Sequence, residues 1–144
     1  MNLKTIINSQ NHINTYKSSN SIKNMAEFVG IISSGQGTWG QVAGLCKQGQ
    51  WEKIILLGPN YAKDFNLEGI PFDFIEFDPN KSITQLKEFF VEKLKDRFSS
   101  FNSEVSLSIA SGSGKEHMAL ISALLSIPVG VRFAALTTNG VVIM

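Results

Sequence analysis

Two short loops rich in glycine and serine hold the residues best suited to chemistry. The first is Ser111-Gly112-Ser113-Gly114-Lys115, which reads as the end of a strand running into a helix. Hydroxyls, open backbone amides and an ammonium at a helix start suit a phosphodiester or another anion. A lysine is mildly disfavoured there by the helix dipole, so Lys115 beside two glycines favours a ligand role over a merely solvated one. His117, two residues further on, faces either the same pocket or solvent. The second loop is Ser34-Gly35-Gln36-Gly37-Thr38, followed by Trp39. Gly35 and Gly37 let the backbone approach a ligand closely, and Trp39 could stack on a base. The alternative is a tight strand-to-helix turn with Trp39 in the core.

Neither loop fits a standard nucleotide fingerprint. Gly35-Gln36-Gly37-Thr38-Trp39-Gly40 matches G-x-G-x-x-G after a strand, but the acid expected about twenty residues on is missing, because the next strand ends Leu57-Gly58-Pro59-Asn60. This argues against NAD. Gly114-Lys115 has Ile109 where a Walker A loop needs its first glycine and Glu116 where it needs a hydroxyl, which excludes a P-loop ATPase.

Composition narrows the rest. The chain has 144 residues, 13 basic and 12 acidic, for a net charge of +1. That length fits one domain. The charge excludes a strongly basic DNA-coating protein, and direct DNA binding is not expected. A hydrophobic fraction of 43% and a mean hydropathy of +0.05 exclude global disorder. No apolar run approaches the ~18 residues of a membrane span. One cysteine, Cys46, excludes a disulfide framework and an all-cysteine metal site and reads as a small buried residue. His12 and His117 lie too far apart in sequence to favour a zinc site, so neither metal nor cofactor is expected. The expectation is a cytoplasmic protein. Residues 1–24, with ten Asn or Ser, three Lys and no acid, read as a disordered or loosely held tail. Alternatively Met25 is the natural start. The folded domain is expected over 25–144.

The elements that must position the two loops alternate. Strands are expected at 27–34, 53–58, 71–77, 104–110, 129–137 and 140–144, with the third less buried and nearer an edge. Helices are expected at 39–48, 82–97 and 115–126, with a poor short helix at 60–68. Thr38 and Ser82 are the expected N-caps and Gly49 the closing residue. Asn139-Gly140 signals a type I′ turn into a final antiparallel strand. Asp73, Glu76 and Asp78 read as a solvated edge rather than a carboxylate pair, and Arg132 as a partner for an edge carboxylate or a second subunit. Alternation implies an α/β fold, a Rossmann-like three-layer sandwich with a mostly parallel sheet of about six strands and a C-terminal hairpin. Such sheets bind ligands outside the carboxyl ends of their strands, where strand order reverses. In a doubly wound order the strands before the two loops are commonly neighbours.

The order of elements and the Ser111–Lys115 loop resemble the CARF domains (CRISPR-associated Rossmann fold). These pair a Ser/Gly/Thr loop after strand 1 with a G-G-T-K-x-M-type loop and helix after strand 4. The matching residues are Ser33-Ser34-Gly35-Gln36-Gly37-Thr38 and Ser111-Gly112-Ser113-Gly114-Lys115-Glu116-His117-Met118. Lys115 and Met118 keep the family's spacing, whereas the threonine before the lysine is lost. The likeness covers roughly 28–144. It implies a homodimer that binds a cyclic oligoadenylate, the second messenger of CRISPR-type antiviral signalling, with Ser34, Gly35, Thr38, Ser113, Gly114 and Lys115 in the pocket. Some members only sense the messenger. Others cleave it without metal, by aligning a ribose 2′-hydroxyl with the adjacent phosphate. In that case Lys115 stabilises the phosphorane, His117 moves the proton and Ser34 joins them. Sensors usually carry a C-terminal effector domain, and Met144 follows directly on the sheet. The resemblance therefore leaves a stand-alone binder, a messenger-degrading enzyme, a fragment or a relative with another ligand. An α/β enzyme using linear nucleotides is a further alternative.

Overall fold

The computed structural model describes residues 26–98 and 104–144. The expected tail, and the question of Met25 as the start, lie outside the described residues. Six strands form one sheet: β1 (Glu27–Ile31), β2 (Lys53–Gly58), β3 (Asp73–Glu76), β4 (Glu104–Ser108), β5 (Gly130–Thr137) and β6 (Gly140–Ile143). Three α-helices are described: α1 (Trp39–Gln48), α2 (Ile83–Leu94) and α3 (Gly114–Ser126). The sheet order is β3-β2-β1-β4-β5-β6, parallel except for the β5–β6 pair. The fold is thus α/β with a mostly parallel mixed sheet.

Burial follows from that order. β1 lies in the middle and every residue of it is buried, which is why it reads as an unbroken apolar run. Strand side chains alternate between two cores. On one face Val29, Ile31, Ile55, Leu57, Val105 and Leu107 pack against Leu86, Phe90 and Leu94 of α2 and Leu120 and Leu124 of α3. On the other, Phe28, Ile32, Ile54 and Leu56 pack against Val42, Leu45 and Cys46 of α1 and against Ala62 and Leu67. Cys46 is a buried side chain, and burial pushes its thiol up to about 12. Among the described residues no helix is long and apolar enough to cross a membrane.

Several local expectations are corrected. Residues 60–68 do not form an α-helix; one 3-10 turn, Asn60–Ala62, is followed by turns held by Glu68 and Gly69 at positive φ. Pro59 and Pro71 bracket a stretch too short to repay helix nucleation. Thr38 precedes α1 but does not cap it through its side chain, because its hydroxyl donates to the Gly35 carbonyl at 2.6 Å. Gly49 ends α1 in extended rather than left-handed backbone. Its lack of a side chain serves packing instead, since a Cβ there would fall 2.2 Å from the Trp51 ring. The hairpin turn is not type I′. Thr137 pairs with Gly140, and only Gly140 (φ 99°) has positive φ, the pattern of a type I turn closed by a left-handed glycine.

The edge reading of β3 holds. Asp73 faces Arg97 and Lys53 at 3.3 and 3.7 Å, and Glu76 faces Lys63 at 2.9 Å. Arg132 lies 3.4 Å from Glu104.

Candidate functional site

Because β1 and β4 are parallel neighbours, their carboxyl-end loops meet at the point where strand order reverses. The meeting is hydrogen-bonded on both sides. Ser33 N donates to Ser111 Oγ at 2.9 Å, and Gly112 N donates to the Ser34 carbonyl at 3.0 Å. Gly112 needs its φ of 107°, and a Cβ on it would lie 2.9 Å from Ile31 Cγ2 and 3.0 Å from His117 Nε2. Only glycine fits this close approach.

A buried carboxylate stands behind the junction. Ser113 and Glu116 form a capping box on α3: Glu116 N donates to Ser113 Oγ at 3.2 Å, and Ser113 N donates to Glu116 Oε1 at 2.9 Å. The other oxygen, Oε2, accepts from Ser33 Oγ at 3.1 Å. Ser33 has spent its single proton there, so in its 3.4 Å contact with Tyr61 the tyrosine hydroxyl is the donor. Trp39 Nε1 donates to the Ser33 carbonyl at 2.8 Å, and the Trp39 and Tyr61 rings lie parallel with centroids 6.5 Å apart. Trp39 also packs edge-on against Phe65 and is half-buried, whereas Tyr61 is 51% exposed.

The residues singled out from sequence fall into two groups. Ser34, Gly35, Gly37, Thr38, Ser111, Gly112, Ser113 and Gly114 are brought together on the two adjacent loops. Ser34, Gly35, Gly37 and Gly114 are exposed, and Gly35 takes φ 80°. Gly114 and Lys115 fill the first two helical positions, whose amides have no acceptor within the helix. The side chains of Lys115 and His117 are committed elsewhere. Lys115 Nζ donates to the carbonyls of Pro79 and Lys81 at 2.7 and 2.8 Å, fastening the β3–α2 turn to the start of α3. His117 Nε2 donates to the Ser111 carbonyl at 2.7 Å, holding its own loop.

Ser33 and Glu116 enter the sequence reading only as members of motifs, with no role of their own, and Tyr61 enters none. The signal for Glu116 was present as Ser113-Gly114-Lys115-Glu116, an S-x-x-E capping pattern. Tyr61 reaches the junction only through sheet order, from a segment with no periodicity. Chemically, the junction offers free amides, hydroxyls and an exposed aromatic ring around a rigid base, which suits an anion carrying a planar group. Among the described residues no three His, Cys, Asp or Glu side chains cluster to hold a metal ion.

Compared with known proteins, the chain matches no protein-family model, no curated protein and no solved structure.

Proposed function

We propose that this chain is a Rossmann-like nucleotide-binding module that senses a cyclic oligoadenylate at the β1–β4 junction. The observation that carries the reading is the pairing of the two glycine loops, Ser34 to Gly112 and Ser33 to Ser111, at the carboxyl ends of adjacent parallel strands. That is where open α/β sheets take ligands. The loop amides and the start of α3 would hold phosphates, and Tyr61 would stack on a base. Homodimerisation in the cytoplasm belongs to the same reading. The dimer, as distinct from its location, draws support from Met118 and Leu125 on α3, apolar side chains that are 61% and 72% exposed.

Binding without turnover is favoured over ring cleavage. Two of the three groups named for the cleavage chemistry, Lys115 Nζ and His117 Nε2, are occupied by backbone carbonyls, which leaves only Ser34, an exposed hydroxyl with no base beside it among the described residues.

The test is thermal stability with cyclic tri-, tetra- and hexa-adenylate, ATP, NAD and S-adenosylmethionine, each mixture being chromatographed afterwards. A ligand that binds only the folded state raises the melting temperature. The reading expects a shift with one cyclic oligoadenylate, recovered intact. Its disappearance would make the protein a ring nuclease, and a shift with NAD or ATP alone would overturn the assignment.

A further inference from the structure

Outside the carboxyl ends of β2 and β3 lies a groove of about 470 Å3, a volume within the range of small-molecule sites. Its apolar lining is Phe77, Leu86 and Phe89, of which Phe77 and Leu86 are buried. Its polar rim is defined by hydrogen bonds already made. Gln85 Oε1 accepts from Ser82 N at 3.0 Å, so Gln85 offers the groove its amide N–H donors. Asn60 Nδ2 donates to Glu76 Oε1 at 3.1 Å, so Asn60 offers its carbonyl oxygen. Asp78 uses Oδ1 on Asn80 N at 2.9 Å and keeps a second carboxylate oxygen.

One donor amide, one acceptor amide, an apolar floor and a carboxylate oxygen form a consistent set. They complement a planar heterocycle that carries an amino group beside a ring nitrogen and bears a sugar diol. We propose that this groove is a nucleoside pocket selective for a base that carries an amino group beside a ring nitrogen, adenosine or cytidine rather than uridine. Gln85 donates to the ring nitrogen, Asn60 accepts from the exocyclic amine, and Asp78 accepts from a ribose hydroxyl. The groove is not isolated from the glycine loops. Pro79 and Lys81, on its wall, are the residues whose carbonyls hold Lys115, the second residue of α3. A nucleotide seated here would lie one lysine side chain from the α3 amides. This placement rests on the junction being the phosphate site; the groove's own chemistry does not.

The experiment is a titration of the full chain with adenosine, uridine and inorganic pyrophosphate, followed by amide NMR. Adenosine should shift Gln85, Leu86 and Phe89 saturably and more strongly than uridine. Gln85→Glu keeps the Ser82 cap but replaces the donor with an acceptor, and should weaken adenosine about tenfold, as expected for one lost hydrogen bond. Phe89→Ala should also weaken it. If adenosine leaves these amides unmoved, or if Gln85→Glu binds it as well as the parent, the pocket is overturned. If adenosine binds here while pyrophosphate leaves Gly35 and Gly114 unmoved, the pocket stands and the junction loses its role.

Discussion

Ser33 Oγ donates to Glu116 Oε2 at 3.1 Å, across 83 positions of sequence, and both residues are buried. This one bond ties the end of β1 to the first turn of α3. Removing the carboxylate would strand two donors, Ser33 Oγ and Ser113 N. Glu116→Ala should therefore lose roughly 2–3 kcal/mol, and Glu116→Gln, which retains an acceptor, about 1 kcal/mol. Urea midpoints at unchanged m would read the difference. Equal stability of the two variants would contradict the role.

The loop glycines should behave unequally. Gly112→Ala meets positive φ and three atoms within about 3 Å and should cost roughly 2 kcal/mol or more. Gly37 has open space where a Cβ would go and no positive φ. Gly37→Ala should instead stabilise by about 0.5 kcal/mol, through the unfolded chain. Thermal melts of the two variants decide it.

A titration can test the edge of the sheet. Chiefly through its hydrogen bond from Lys63, and also from Asn60 and the Lys63 charge, Glu76 is held below the ordinary glutamate value. A depressed folded-state pKa gives stability that is present above the unfolded value and lost as pH falls through the folded one. Lys63→Ala should raise the Glu76 value in a carbon-13 titration and make the acid limb of stability against pH shallower. An unchanged Glu76 would show the ion pair absent in solution.

Cys46 provides a probe of the α1 face. Its thiol is buried and raised to about 12, so little thiolate exists near neutrality. An alkylating reagent at mild alkaline pH should react slowly with the native chain and fast in urea. Rapid native reaction would mean that α1 opens locally.

What was legible in the sequence follows the physics of each element. Buried strands such as β1, and β2 beyond Lys53, announce themselves as apolar runs, and the spacing of Leu86, Phe90 and Leu94 marks the buried stripe of α2. Adjacency of β1 and β4 came from topology rules rather than periodicity. Residues 60–68 misled because a Tyr-Ala-Lys-Asp run has helical composition, whereas its short length and the flanking prolines decide the outcome. The glycine loops were visible because backbone geometry demands particular residues. The direction of Lys115 was not, because a long flexible side chain goes where tertiary structure supplies acceptors, here the Pro79 and Lys81 carbonyls. Glu116 stands in the sequence as a break in a phosphate-loop motif and as one position of the CARF-like loop, and neither reading shows its part in the cap.

The most direct test of the central claim is amide NMR of the full chain titrated with cyclic tetra-adenylate and its tri- and hexa- relatives. The glycine amides report on the junction from both loops. The account predicts saturable shifts at Gly35, Gly37, Gly112 and Gly114 with one ring size. Shifts confined to other parts of the sheet, or none with any ring, would contradict it.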